Sequence, residues 1–97
     1  MKVRFLPLAR QDLDNAVTWY TAQSDELGQE FLDELDRAIR RSVSFPLAST
    51  EIEPGLRRCL LSRFPFGLVY GLDGNTLIVV AIAHLHREPR FWSDRIK

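Results

Sequence analysis

Hydrophobic positions follow two different periods along the chain. A short apolar segment, Val3 to Leu6, stops at Pro7 and predicts a strand, because proline cannot donate to a strand ladder. From Ala9 the apolar residues recur every three or four positions. That period predicts an amphipathic helix, and the spacing ends near Gln23.

A second helix is predicted after Ser24, whose side chain is suited to capping a helix N-terminus. Pro46 marks its end. Its apolar stripe comprises Leu27, Phe31, Leu35, Ala38 and Ser42. Two helices joined by so short a link are expected to pack as an antiparallel hairpin.

The pattern in the rest of the chain predicts a loop followed by three strands. Residues 47–55 are predicted to be a loop, and the strands are placed at Leu56–Ser62, Phe66–Leu72 and Leu77–Ala83. The last strand is apolar on both faces, which favours a central position in the sheet. The predicted order is β-α-α-β-β-β in one α+β domain, 1–97. The helical hairpin is expected on one face of a small, mostly antiparallel sheet, with part of the other face open.

The net charge of the chain is zero, but the acidic and basic residues are distributed unevenly between its two halves. From Met1 to Pro54 there are ten acidic and six basic residues, net −4, whereas from Gly55 to Lys97 there are three and seven, net +4. The basic half favours an acidic partner. Its charge is too small and too dispersed to predict that this chain binds DNA directly by itself.

Candidate redox and metal chemistry is sparse. A single cysteine, Cys59, excludes an internal disulfide and a thiolate metal cluster. No signal peptide or membrane-spanning apolar run is present, so a cytoplasmic location with no membrane association is expected. His84 and His86, two residues apart, lack a third ligand nearby, and no metal or cofactor is expected.

A family resemblance follows from many small features in one order. They are Pro7, Ala9, Leu13, Ala16, Tyr20, Leu27-Gly28, Phe31-Leu32, Pro46, Arg58, the run from Arg63 to Phe66, Tyr70, His84, Arg87, Pro89, Trp92 and Arg95. In this spacing the chain resembles the ParE/RelE superfamily of type II toxins, and ParE more than RelE. The resemblance implies the same RelE-like β-α-α-β-β-β fold and a toxin silenced by a cognate antitoxin.

The resemblance to ParE implies a toxin that inhibits DNA gyrase by binding and needs no catalytic residues. Arginine and tryptophan are the residue types that anchor interfaces. The expected target-binding residues are Arg58, Arg63, His84, His86, Arg87, Arg90, Trp92 and Arg95.

The RelE-like alternative is a ribosome-dependent mRNA endonuclease, which needs a base, an acid and cations on the phosphate. The lysines stand at the two ends of the chain, and no tyrosine follows the last strand. The set that remains is Arg58 (or its neighbour Arg57), Arg63, His84 and Arg87, with Glu51 or Glu53 as a conceivable base. This incomplete set does not decide whether the chain is an enzyme, but it favours a toxin without catalytic activity. A third possibility is a non-toxic binding module that keeps the fold.

The antitoxin is expected to lie as a helix over the toxin helices or to add a strand to the sheet. The candidate contact residues are Leu13, Val17, Trp19, Tyr20 and Phe31.

Structural roles compete with these functional ones. Arg58 and Arg63 have possible partners in the acids of the second helix, such as Asp33 or Asp36. Trp92 is equally suited to packing the tail against the sheet. Cys59 is expected to be a small buried filler, because the sequence places no base beside it.

Overall fold

The computed structural model describes residues 1–87 and 90–96. Strand β1 (Lys2–Phe5) leads into the helices α1 (Pro7–Gln23) and α2 (Asp25–Ser44). Four strands follow: β2 (Thr50–Glu53), β3 (Leu56–Leu60), β4 (Phe66–Asp73) and β5 (Thr76–His84). A 3₁₀ helix (Phe91–Ile96) is the last element that the structure describes. Pro89, one of the residues that carry the family resemblance, lies outside the described residues.

The strands form one sheet in the order β1-β5-β4-β3-β2. Strand β1 runs parallel to β5, and the other neighbours are antiparallel. The predicted α+β class, the helical hairpin and the central position of the last apolar strand are therefore confirmed.

The prediction of a continuous loop over 47–55 is wrong, because it contains β2. This strand pairs with β3 in the register Thr50↔Arg58 and Glu51↔Arg57. Gly55, with φ of 82°, closes the turn between the two strands. A short, charged strand at the sheet edge resists pairing with another chain.

The helical hairpin begins and ends as its residues dictate. The hydroxyl of Ser24 accepts a hydrogen bond from the Leu27 amide at 3.0 Å, which caps α2 as predicted. Asp25 and Glu26 lie in the first turn of α2, where the helix dipole favours negative charge. Phe31, Leu35 and Ala38 are buried in the main core, between the helices and one face of the sheet.

The opposite face of the sheet is partly covered by the 3₁₀ helix. Trp92 packs in a second cluster with Val69, Val80 and Ala81. This face thus obtains an apolar cover from the C-terminal tail, residues 90–96. Among the described residues, no helix has the length and apolar character to cross a membrane.

Candidate functional site

A cleft of about 440 Å³ lies between α1, the end of β5 and the 3₁₀ helix. We call it the main cleft. Its lining combines residues that the sequence assigned to two separate surfaces. The lining residues are Asp12, Asn15, Ala16, Trp19, Tyr20, Phe66, Ile82, His84, Arg87, Phe91 and Arg95.

One side of the main cleft is fixed by an ion pair between Asp12 and Arg95. The guanidinium donates to both carboxylate oxygens, at 2.6 and 3.1 Å, and to the Val80 carbonyl at 3.0 Å. The same carboxylate accepts from the Ile82 amide at 3.1 Å. Because β1 pairs with β5 only up to Val79, these two side chains satisfy backbone groups further along β5. The ion pair therefore joins α1, β5 and the tail.

Aromatic rings form another side. The ring of Tyr20 stacks on Phe31 at 5.2 Å and meets Phe66 edge-on at 6.1 Å. Burial raises the pKa of Tyr20 above its ordinary value of 10.0, and the positive charge of Arg87 acts in the opposite direction. The Tyr20 hydroxyl is therefore protonated at neutral pH and available as a donor. Trp19, on the adjoining face of α1, is 61% exposed.

His84 is held as a neutral imidazole at the end of β5. Burial lowers its pKa below 6.5, and the charges of Arg87 and His86 lower it further. The Nδ1 atom accepts a hydrogen bond from the His86 amide at 3.1 Å. In the neutral ring the proton therefore sits on Nε2, which acts as a donor.

A second, smaller hollow of about 150 Å³ lies on the face of the sheet opposite α1 and α2. We call it the small hollow. Its basic lining residues are Arg58, His84, Arg87 and Arg90. A β-carbon at Gly67 would lie 2.8 Å from Cγ of Arg58. The absence of a side chain at this glycine therefore leaves room for the aliphatic part of the arginine. His84 and Arg87 line both cavities and connect the two faces.

Glu53 anchors the tail to the sheet edge. Its carboxylate accepts from Trp92 Nε1 at 2.8 Å and from the Arg90 guanidinium at 3.0 Å. Arg90 has φ of 60°, an uncommon conformation for a residue with a side chain. These two bonds to Glu53 help to hold the strained residue in place.

Three of the expected contact residues belong to the interior, which corrects their predicted roles. Phe31 is 0% exposed and Trp92 6%, so neither presents a surface to a partner. The guanidinium of Arg95 is occupied by Asp12, and its side chain is 11% exposed. Burial also places Cys59 in the core, as expected.

The remaining predicted contact residues are distributed unevenly. His86 is exposed beside His84, with ring centroids 5.8 Å apart. Arg63 lies outside both cavities and pairs with Glu30 of α2 at 3.0 Å, rather than with Asp33 or Asp36. On α1, Leu13 and Val17 are half-buried against the core.

No local sequence pattern predicts the structural roles of Asp12 and Glu53. Asp12 lies on the polar side of the α1 pattern, and Glu53 lies in the predicted loop. Both act through partners far along the chain, Arg95 and Trp92, which no local pattern identifies. Among the described residues, no three histidine, cysteine or acidic side chains cluster in a way that would hold a metal ion.

Acid should release the tail through protonation of Glu53. Hydrogen bonds from Arg90 and then Trp92 lower the pKa of Glu53 below 4.5. A lowered carboxyl pKa means that this stabilisation is complete above the unfolded-state value and is lost as the pH falls through the folded-state value. In a Trp19→Phe background, the fluorescence of Trp92 should therefore shift to the red below about pH 4.5.

Glu53→Gln tests this pH dependence, because it removes the titrating group. Its Trp92 emission should be red-shifted already at neutral pH and should lack the acid step. Glu51→Gln, an exposed neighbour on the same strand, is the matched control and should keep the step. An unchanged step in Glu53→Gln would assign it to another group.

Comparisons with known proteins agree with this architecture. Residues 3–89 match the family model of the ParE toxin of the type II toxin-antitoxin system parDE. A solved structure titled "Chromosomal ParDE TA system from P. aeruginosa" is similar in fold, with a TM-score of 0.76 and 20% identity. The match covers 89% of this chain and 97% of that chain. No curated protein matches the chain. Because the family model spans most of the sequence, the chain belongs to the ParE family of type II toxins.

Proposed function

We propose that this type II toxin inhibits DNA gyrase by binding to it and is neutralised by a cognate antitoxin. The family match supports the choice of target class. The observation that carries the proposed binding surface is the group of cations around the small hollow. Arg58 is half-buried there and Arg87 is exposed, and neither has an ion-pair partner among the described residues.

Unpaired arginines are suited to recognising a protein surface rather than to stabilising this fold. A guanidinium presents several donors in a fixed plane and binds carboxylates in two-pronged fashion. The proposed gyrase contacts are the unpaired Arg58 and Arg87, with His84, His86, Arg63 and Arg90 around them. Arg63 and Arg90 also pair with Glu30 and Glu53 within the toxin. Trp92 and Arg95 support this surface from the interior and do not contact the partner.

The proposed antitoxin surface is the exposed side of α1. Trp19 is the most exposed aromatic side chain of this helix, and Leu13, Val17 and Tyr20 are accessible in part. An apolar helix from a partner would bury this surface. We place both interactions in the cytoplasm.

Removing two of the cations should weaken gyrase inhibition by at least about tenfold. A loss of this size corresponds to roughly 1.4 kcal/mol, which is typical of an interface anchor. The measurement is inhibition of gyrase supercoiling by purified wild-type toxin and by Arg58→Ala/Arg87→Ala. Antitoxin in excess should abolish the inhibition.

Arg40→Ala is the matched control for this test. Arg40 is an exposed arginine of α2 whose partner is Asp36, away from the small hollow. It should inhibit like the wild type. Equal inhibition by all three proteins would reject the proposed surface, whereas absence of inhibition by folded wild-type toxin would reject gyrase as the target.

Ribosome-dependent mRNA cleavage is the second candidate. The small hollow brings together Arg58, His84 and Arg87, three of the four residues of the nuclease set. The fourth, Arg63, pairs with Glu30, and Glu53 is held by the tail. Cleavage of mRNA on translating ribosomes, lost in His84→Gln, would favour this candidate.

A further inference from the structure

The main cleft contains three donors that the fold leaves without an acceptor. Among the described residues, the Tyr20 hydroxyl, the His84 Nε2–H and the Arg87 guanidinium have no hydrogen-bond acceptor. The three side chains line the same cleft. The guanidinium can only donate, and the Tyr20 hydroxyl and the His84 Nε2–H can donate alongside it, so an anion would satisfy all three groups.

The charge balance of the main cleft agrees with this requirement. Among the described residues, Asp12 supplies the only carboxylate of the lining, and Arg95 neutralises it. Arg87 is then the remaining unpaired charge. A bound carboxylate would therefore gain a charge-assisted hydrogen bond without meeting an uncompensated negative group.

The charges and apolar side chains around the main cleft favour a single carboxylate over a polyanion as its ligand. Helices α1 and α2 together carry eight acidic and four basic side chains, net −4, so a nucleic acid strand lying across them would be repelled. Trp19, Phe66 and Phe91 supply apolar walls. A volume of about 440 Å³ has room for an acidic side chain together with an apolar neighbour.

We propose that the main cleft binds an aspartate or glutamate side chain of the antitoxin, with an adjacent apolar residue of the antitoxin packed on Trp19. This inference rests on the proposed neutralisation by a cognate antitoxin and specifies its chemistry. Tyr20, His84 and Arg87 donate to the carboxylate.

A consequence for neutralisation follows from the shared lining. His84 and Arg87 also line the small hollow, where the gyrase contacts are proposed. The antitoxin carboxylate would engage the same cation that the target needs. Neutralisation is then direct competition for Arg87, and it needs no rearrangement of the fold.

The test is a set of double-mutant cycles between toxin and antitoxin. Binding of the purified cognate antitoxin is measured by calorimetry for wild-type toxin, Arg87→Met and Tyr20→Phe. Each acidic residue in the toxin-binding half of the antitoxin is changed singly to its amide. Arg87→Met should weaken binding about tenfold, and one amide variant should weaken it similarly, with little further loss when the two are combined.

Arg40→Met is the control toxin and should bind the antitoxin like the wild type, with no coupling to any acidic residue. If no amide variant couples to Arg87 or Tyr20 while wild-type antitoxin still binds, the carboxylate proposal is overturned and the antitoxin partnership stands. If the antitoxin does not bind folded wild-type toxin at all, the proposed neutralisation fails as well. Competition is tested by adding gyrase to the complex, and a stable ternary complex would overturn it.

Discussion

Replacing Phe31 by alanine is expected to lower the free energy of unfolding by about 4 kcal/mol, the largest effect of any single substitution considered for this chain. Phe31 is fully buried, and its ring lies between 5.1 and 5.3 Å from those of Tyr20, Phe64 and Phe66. Truncation removes apolar contact on every side and leaves a cavity that the neighbouring rings cannot fill. A domain of this size has only about 5–15 kcal/mol of stability.

Urea unfolding of the wild type and Phe31→Ala measures this loss. Phe45→Ala is the matched control, because it makes the same chemical change at a side chain that is 68% exposed. The control should lose less than about 0.5 kcal/mol, as surface substitutions do. Similar losses in both variants would show that the ring cluster is not the centre of the core.

The burial of Phe31 also shows what the hydrophobic pattern of the sequence can and cannot predict. Its helical spacing correctly places Phe31 on the apolar stripe of α2. The pattern identifies a face but not what covers it, so the sequence alone does not distinguish a core position from a contact with the antitoxin. Two of the rings that cover Phe31, those of Phe64 and Phe66, lie more than 30 positions further along the chain.

Strand β2 is not predicted from the sequence for a related reason. Its sequence, Thr-Glu-Ile-Glu, holds one apolar residue and two acids, and the proline that follows suggested a loop. The strand forms because its backbone pairs with β3, which is a tertiary cause. Edge strands need little apolar character, so their local signal is weak.

The candidate site was predicted in separate pieces. The end of the last strand, with His84 and Arg87, was recognised from its concentration of basic residues. Trp19 and Tyr20 were assigned to a different surface. Their joint lining of the main cleft depends on how α1 crosses β5, and neither periodicity nor charge counts determine that crossing.

Replacing Arg95 by methionine is expected to lower the free energy of unfolding by about 3 kcal/mol, because it leaves the Asp12 carboxylate without its countercharge in a mostly buried site. The Asp12 side chain is 16% exposed and would retain the Ile82 amide as its donor. For a domain of this length the melting temperature should fall by roughly 15 °C. Calorimetric melting measures the change. Asp12→Asn should cost a similar amount, because it leaves the Arg95 guanidinium, which is 11% exposed, without its countercharge.

Arg40→Met separates the effect of burial from that of pairing. The Arg40–Asp36 ion pair is as short, at 2.7 Å against 2.6 Å, but its side chains are 78% and 58% exposed. Arg40→Met should therefore lower the free energy of unfolding by less than about 0.5 kcal/mol. Equal losses in Arg40→Met and Arg95→Met would contradict the assignment of Asp12–Arg95 as the junction of α1, β5 and the tail.

If the junction holds the tail as inferred, Arg95→Met should also weaken gyrase inhibition at temperatures where the protein is still folded, because Arg90 and Phe91 belong to the tail that Arg95 anchors.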